Sequence, residues 1–434
     1  MSTEAEINFV SCLLSNPEMS IQYDIKADDF INPQYGLIFS ALMDMIATGE
    51  KVTEATFFDY WRHKNPSNTN EPALLEILAG FSQVESMDTF AAAVIRDSRG
   101  RQLGNKLIEL SEKCFNFGAY EEKLDYVFDQ IAELKIPEQK QGTTRNESLK
   151  NIMAEMERRK TIVGIDGLST GFDNLDKRFN GLKDGDLIIV AGRPSMGKTT
   201  FGLNIADHVA IEGKGVLVFS LEMGETQLTD KTISSISGLP LSDIQKGKME
   251  PDQEQIFNDT IVSLTGNNFE IVESARTVKQ MMRIAKRKKM RQGLDLIVID
   301  YIQQMNAEGK NRTEQISNIS RGLKQMAREL DVPVIALSQL NRGVESRQNK
   351  RPSASDLKES GAIEEDADII MFVYRDEFYY PNCHTNKNYA EIITAKFRNG
   401  EVGSNLLQTE LHKSRFKFSP AKGYKPYENK NFKD

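Results

Sequence analysis

From Glu4 to about Lys135 the apolar residues recur three and four positions apart, as in Phe9, Leu13 and Leu14 or Ile38, Leu42, Met45 and Ile46. That period places them on one face of successive amphipathic helices, so the front of the chain is predicted to be all-helical. Thr53 with Glu54, and Ser86 with Asp88, supply the side chains that open helices, while Gly49 and Gly80 supply stops. The pattern lapses over PEQKQGTTRN, Pro137 to Asn146, which has no face to bury and reads as a linker. A charged helix is predicted over 147–160, with Leu149, Ile152, Met153 and Met156 on one side. Nothing else in the chain has an obvious use for that stripe, and a second copy would cover it.

From Asp186 the period changes to short β-rich runs separated by helical segments: DLIIVAG, GVLVFSLEM, FEIVES, LDLIVID, VPVIALSQ and ADIIMFVYRD. Such alternation predicts a mostly parallel sheet with helices on both faces, an α/β domain. NYAEIITAKF and VGSNLLQTEL, separated by Asn399-Gly400, predict a hairpin that adds an antiparallel edge. The segment from Leu340 to Glu365 has little hydrophobic period and several cations, and reads as a long polar loop that binds something. From Lys413 to Asp434 seven Lys and Arg stand against Glu428 and Asp434, a stretch expected to be unfolded by itself.

Composition narrows the classes. With 434 residues, 39% hydrophobic and 27% charged, the chain suits two or three globular domains. Its longest apolar runs, Leu296 to Ile299 and Val332 to Leu337, fall far short of the roughly 20 residues that cross a bilayer. The opening residues carry two glutamates and no basic cluster, so no leader and a cytoplasmic location are expected. Cys12, Cys114 and Cys383 lie far apart, which favours reduced thiols over a disulfide framework or a zinc site. The net charge of −8 is unevenly spread: residues 1–140 hold 12 basic and 23 acidic residues, a net of −11, leaving +3 for the remainder. An acidic front half is a poor match for nucleic-acid phosphates, whereas the rest can gather positive charge locally.

The strongest chemical signal is Gly192-Arg193-Pro194-Ser195-Met196-Gly197-Lys198-Thr199, a full G-x-x-x-x-G-K-[ST] pattern followed by Thr200, between a predicted strand and a predicted helix. Its glycines let successive N–H groups face phosphate oxygens, Lys198 neutralises the β and γ phosphates, and the Thr199 hydroxyl can ligate Mg²⁺. Asp300, after four apolar strand residues, is the matching acid for the metal. Glu222 ends another strand where it can polarise an attacking water, although a surface glutamate ends strands equally well. Gln339 can sense the γ-phosphate, with plain packing as the rival reading. Lys396 and Arg398, two apart on a strand, project from one face at a hairpin tip, as in an arginine finger aimed at another subunit; a solvated hairpin explains the same spacing. The cluster Arg283, Lys286, Arg287, Lys288, Lys289 and Arg291 is better read as a solvated helix face than as a DNA site.

GRPSMGKTT, FSLEM, IVIDYIQ, VPVIALSQLNR, DLKESGAIEEDAD and KFRNG occur in the order and spacing of the DnaB-type replicative DNA helicases, and DIKADDFINPQYGLIFSALMDM resembles that family's helical domain. The resemblance runs from about residue 4 to 416 and fits a bacterial or a phage source, with a slight shortness leaning toward phage. It implies an all-α N-terminal collar domain over 1–136, a linker with a docking helix over 137–163, a RecA-like motor with a mostly parallel sheet over 164–416, and a basic flexible tail over 417–434. It implies a homohexameric ring that uses ATP and Mg²⁺, moves 5′ to 3′ on single-stranded DNA and unwinds the fork, with primase and a loader as partners. By resemblance Lys198 and Thr199 bind nucleotide and metal, Glu222 is the catalytic base, Asp300 holds magnesium, Gln339 couples site to loop, and Lys396 and Arg398 reach the neighbour's γ-phosphate. The DNA-contacting loop maps to Asp356 to Gly361, where Lys358 and the backbone at Glu359 and Gly361 would grip phosphates. Lys358 stands where family members often carry Arg, and Phe397 where a polar residue is common; Lys binds phosphate as a point charge, not bidentately. A RecA-like recombinase would share the P-loop and sheet, and a nucleotide-gated binding protein would lack turnover.

Overall fold

The computed structural model describes residues 2–23, 25–64, 71–80, 86–116, 118, 123, 126–127, 130, 145–162, 164–357, 361–380 and 386–418. The chain divides into two compact units, Met1–Glu138 and Gln139–Asp434.

In the first unit the three-and-four spacing becomes helices: α1 (Ser2–Ser15), α2 (Pro33–Ala47), α3 (Glu54–Lys64), α4 (Glu71–Leu78) and α5 (Met87–Asn116). Phe9, Leu13, Ile38, Leu42, Phe57, Trp61 and Leu74 are each at most 2% exposed and form one core. The helix starts have the expected chemistry. Asn32 accepts from the Gln34 N–H ahead of Pro33, and Thr53 Oγ1 accepts from the Thr56 N–H at 3.2 Å. Glu6, buried in α1, accepts from the Ile31 and Asn32 amides, so a desolvated carboxylate fixes the entry to α2.

The second unit begins with α6 (Arg145–Thr161) and α7 (Asp173–Phe179). It then alternates β1 (Leu187–Gly192), α8 (Lys198–Ile211), β2 (Val216–Ser220), α9 (Glu225–Ser237), α10 (Leu241–Lys246), α11 (Pro251–Leu264), β3 (Phe269–Val272), α12 (Val278–Gln292), β4 (Leu296–Asp300), α13 (Arg312–Leu330) and β5 (Val334–Gln339). After α14 (Gly361–Asp366), β6 (Ile369–Tyr374) and α15 (Asp376–Tyr379), it ends in β7 (Tyr389–Phe397), β8 (Gly403–Glu410) and β9 (Arg415–Phe418). The strands form one sheet in the order β3-β2-β4-β5-β1-β6-β7-β8-β9, parallel as far as β6 and antiparallel beyond it. The central strands are unbroken apolar runs because helices cover both faces. Phe201, Ile205 and Val209 of α8 pack one face, and Ile319, Leu323 and Met326 of α13 the other.

Three expectations change. Arg415–Phe418, read as part of an unfolded tail, is an edge strand paired to β8. Phe416 is 4% exposed, its ring lies 5.6 Å from that of Phe201, and its N–H donates to Asn204 Oδ1 at 2.8 Å. One aromatic with a docking site thus overrides the polarity of its neighbours. The segment 340–365 is not uniformly loop: Val344, Leu357 and Ile363 anchor it in the core, and its end is α14. In the basic helix α12 Lys288 is buried and turns inward onto Asn268 Oδ1, while Lys289 stays exposed and donates to the Leu330 carbonyl. Among the described residues no helix is long and apolar enough to cross a membrane, and Cys12 and Cys114 form no disulfide; Cys383 lies outside the described residues.

Candidate functional site

Four neighbouring strands, β2, β4, β5 and β1, run parallel, so their carboxyl ends open onto one edge of the sheet. The P-loop leaves β1 there. Ser195 (φ 65°) and Gly197 (φ 96°) take left-handed conformations that curl the backbone before α8 begins at Lys198. The Phe201 N–H closes the first helical turn onto the Gly197 carbonyl at 2.8 Å. The amides of Lys198, Thr199 and Thr200 therefore have no acceptor within the helix and open toward the cleft, a phosphate cradle backed by the helix dipole.

A cleft of about 320 Å³ lies over this turn, and Pro194, Ser195, Gly197, Lys198, Thr199 and Thr200 line it together with Glu222, Asp300 and Gln339. Thr199 Oγ1 donates to Asp300 Oδ2 at 2.7 Å, and Lys198 Nζ donates to the Arg193 carbonyl at 3.2 Å. Burial pushes the Lys198 ammonium below its ordinary value, and Asp300 and Glu222 oppose the shift. Burial likewise pushes the Asp300 carboxyl up, aided by Glu222 and opposed by Thr199, Lys198 and Lys231. The donors near the P-loop are oxygens, a hydroxyl and two carboxylates, with no His or Cys among the described residues that line the cleft. That set suits a hard divalent cation that takes its remaining ligands from phosphate and water, as Mg²⁺ does.

Two P-loop residues face elsewhere. Met196 is 1% exposed within the core under the sheet. Arg193 is buried and turns behind the loop, donating to the Leu340 carbonyl at 2.9 Å and to Glu345 Oε1 at 2.8 Å. It ties the P-loop to the segment that follows β5. Gly192 closes β1, where an added Cβ would lie 3.0 Å from the Val373 carbonyl.

Two residues of the cleft region escaped the sequence reading. Lys231, half-buried on α9, lines the cleft; burial pushes its ammonium down, and Asp300 and Glu222 oppose that. Gln303, just after β4, grips the backbone of Gln339 with both ends of its amide, accepting from the Gln339 N–H at 3.1 Å and donating to its carbonyl at 3.2 Å. No local pattern marks Lys231. Gln303 stands in the quoted run IVIDYIQ, yet its partner is 36 residues away.

Lys396 and Arg398 do not line this cleft. A register shift between Ile370 and Met371 leaves Ala395 unpaired and re-aims the end of β7, and Arg398 lies just beyond the strand. Lys396 Nζ donates to the carbonyls of Glu364 and Glu365. The Arg398 guanidinium donates to Asp368 Oδ1 at 3.0 Å. Asp368 adjoins Leu187, where β1 starts, whereas the P-loop follows the end of β1. Six strand residues at about 3.3 Å each put roughly 20 Å of sheet between the two. Among the DNA-loop candidates Gly361 opens α14, while Lys358 and Glu359 lie outside the described residues.

Residues 1–96 match the model of the DnaB-like helicase N terminal domain, and residues 167–418 that of the DnaB-like helicase C terminal domain. The replicative DNA helicase DnaB of Pasteurella multocida is 38% identical over 96% of this chain and 93% of its own length. That of Geobacillus stearothermophilus is 36% identical over 93% and 91%. Among solved structures, a DnaB-like replicative helicase described with its interactions with primase superposes with a TM-score of 0.79 at 29% identity, covering 96% of this chain and 99% of that one. A second, an ATPase domain, gives 0.61 at 37% identity over 64% of this chain. The chain belongs to the DnaB family of replicative DNA helicases.

Proposed function

We propose that this chain is the ATP-driven motor of a homohexameric ring that moves 5′ to 3′ along single-stranded DNA and unwinds the duplex at a replication fork. One observation carries the ring: the cations Lys396 and Arg398 stand at the opposite end of the sheet from the P-loop, so they serve the site of another copy and not their own. A site complete only between two copies makes hydrolysis a property of the assembly.

Within that site the α8 N-terminus and Lys198 hold the β and γ phosphates. Glu222 takes the proton of the attacking water, and Gln339, held in place by Gln303, reads the γ position. Thr199 and Asp300 would hold Mg²⁺, which when bound screens the charge on the phosphate oxygens. Arg193 and Glu345 relay a movement of the P-loop to the segment after β5, and Lys358, Glu359 and Gly361 grip DNA phosphates without reading sequence. The exposed stripe of Leu149, Ile152, Met153 and Met156 on α6 docks on the adjacent motor and closes the ring. Residues 1–136 form a collar whose acidic surface receives primase, and a separate loader opens the ring.

The test is ATP-dependent unwinding of a forked duplex with a free 5′ tail, with Lys198→Ala as the control. Unwinding that vanishes in the variant is expected. DNA-stimulated hydrolysis without unwinding, even with a loader supplied, would favour a recombinase-like motor; negligible hydrolysis on single-stranded DNA would favour a nucleotide-gated binding protein.

A further inference from the structure

Asp368 sits between α14 and β6 and is 3% exposed. Its Oδ2 accepts from the Leu187 N–H at 2.8 Å and from Lys324 Nζ of α13 at 2.5 Å, and its Oδ1 accepts from Arg398 Nη1 at 3.0 Å. Its backbone is engaged as well: its N–H donates to the Leu187 carbonyl at 2.9 Å, and its own carbonyl accepts from the Arg398 N–H at 2.9 Å. Both the backbone and the guanidinium of Arg398 are thus fastened to one buried residue. A carboxylate without access to water is held there by its donors and cannot follow a moving side chain.

We propose that Asp368 is the positioning residue for the cation pair, presetting the direction in which Arg398 leaves the protein so that the guanidinium meets the neighbouring copy's nucleotide without first being ordered. This rests on the reading of Lys396 and Arg398 as groups that act on another copy. The two cations are fastened differently. Lys396 lies on two neutral carbonyls at the end of α14, where the helix dipole favours a cation. Arg398 has a charge-assisted bond from Nη1 to Asp368 and a longer one, 3.4 Å, from Nη2 to the Glu365 carbonyl, and its side chain stays 53% exposed. Those two bonds take two of the five N–H donors of the planar fork and fix its plane, so the remaining donors keep set directions that a flexible lysine in the same place would not. Pre-organisation of this kind acts on the chemical step, because the reacting phosphate is bound by the other subunit's P-loop whether or not the guanidinium is aimed.

Asp368→Asn keeps the size of the side chain and an acceptor for the Leu187 amide but removes the charge that orients Arg398. In DNA-stimulated hydrolysis by the full chain, kcat is expected to fall at least about tenfold with KM for ATP nearly unchanged and the hexamer intact by light scattering. Lys324→Met, which removes the other cation on Asp368, is expected to leave kcat within about twofold. Mixing then separates aim from damage: in rings assembled from equal parts Asp368→Asn and Lys198→Ala, about a quarter of the interfaces pair an intact P-loop with an intact cation pair, and activity returns there. Arg398→Ala mixed with Lys198→Ala is the reference. Unchanged kcat in Asp368→Asn overturns the proposal. So does a mixture that fails to recover while the Arg398→Ala mixture recovers, since the defect is then general damage. If neither mixture recovers, the reading of the cations as acting between subunits fails, and the proposal falls with it.

Discussion

Replacing Asp207 with Asn should change how the stability of the motor unit depends on pH. Asp207 lies on α8 against α9, 5% exposed; one carboxylate oxygen accepts from Thr232 Oγ1 at 2.9 Å, and the other has no hydrogen-bond partner among the described residues. Burial pushes this carboxyl from 3.8 up to about 7, and the Thr232 bond offsets only part of that. Between those values the folded chain keeps a proton that the unfolded chain gives up, so folding is progressively disfavoured as pH rises through the window. About 3 pKa units at 1.36 kcal/mol each amount to a loss of about 4 kcal/mol between roughly pH 4 and pH 7, constant above it. Asparagine has no proton to lose, so the difference in unfolding free energy between variant and wild type should move by most of that amount in the variant's favour. Urea unfolding of the full chain, followed by circular dichroism from pH 4.5 to 8, measures it. The single tryptophan, Trp61, is buried in the first unit, and its fluorescence identifies the transition of that unit. Stability curves that run parallel at every pH would refute the argument.

Lys231→Met should lower kcat for DNA-stimulated hydrolysis by about 10 to 100-fold with a smaller effect on KM, because it leaves Asp300 and Glu222 with one fewer cation beside the γ-phosphate site; steady-state kinetics with the native rate would contradict the placement. Phe416→Ala should cost about 3–5 kcal/mol by emptying the space against Phe201 and freeing β9. Since an added Cβ on Gly197 would lie 3.0 Å from that ring, the P-loop should also loosen, seen as weaker binding of an ATP analogue. A loss under 1 kcal/mol in urea unfolding would show that the ring is not a core element.

What the sequence determined by itself is whatever depends on near neighbours in the chain. The helices of the first unit follow from a three-and-four spacing that needs only one buried face, and the strands from apolar runs that only a doubly covered sheet accommodates. The phosphate cradle is legible because its donors are consecutive residues, Gly192 to Thr200, and Asp300 because a carboxylate after four apolar strand positions ends at the sheet's edge.

The order of the strands belongs to the tertiary structure. Only with β1 between β5 and β6, and β4 beside β2, do Glu222, Asp300 and Gln339 converge on one cleft with Lys231. The antiparallel run of β7 against β6 carries Lys396 and Arg398 to the far end of the sheet. Long-range pairing also decides that Asp368, an unremarked acid in EEDAD, holds the Arg398 guanidinium 30 residues later in the chain, and that Phe416 in a basic tail is a core residue. The reason is energetic: a cation or an aromatic reads the same in any polar stretch, and its role is set by burial and by partners that long-range strand pairing brings within hydrogen-bond distance.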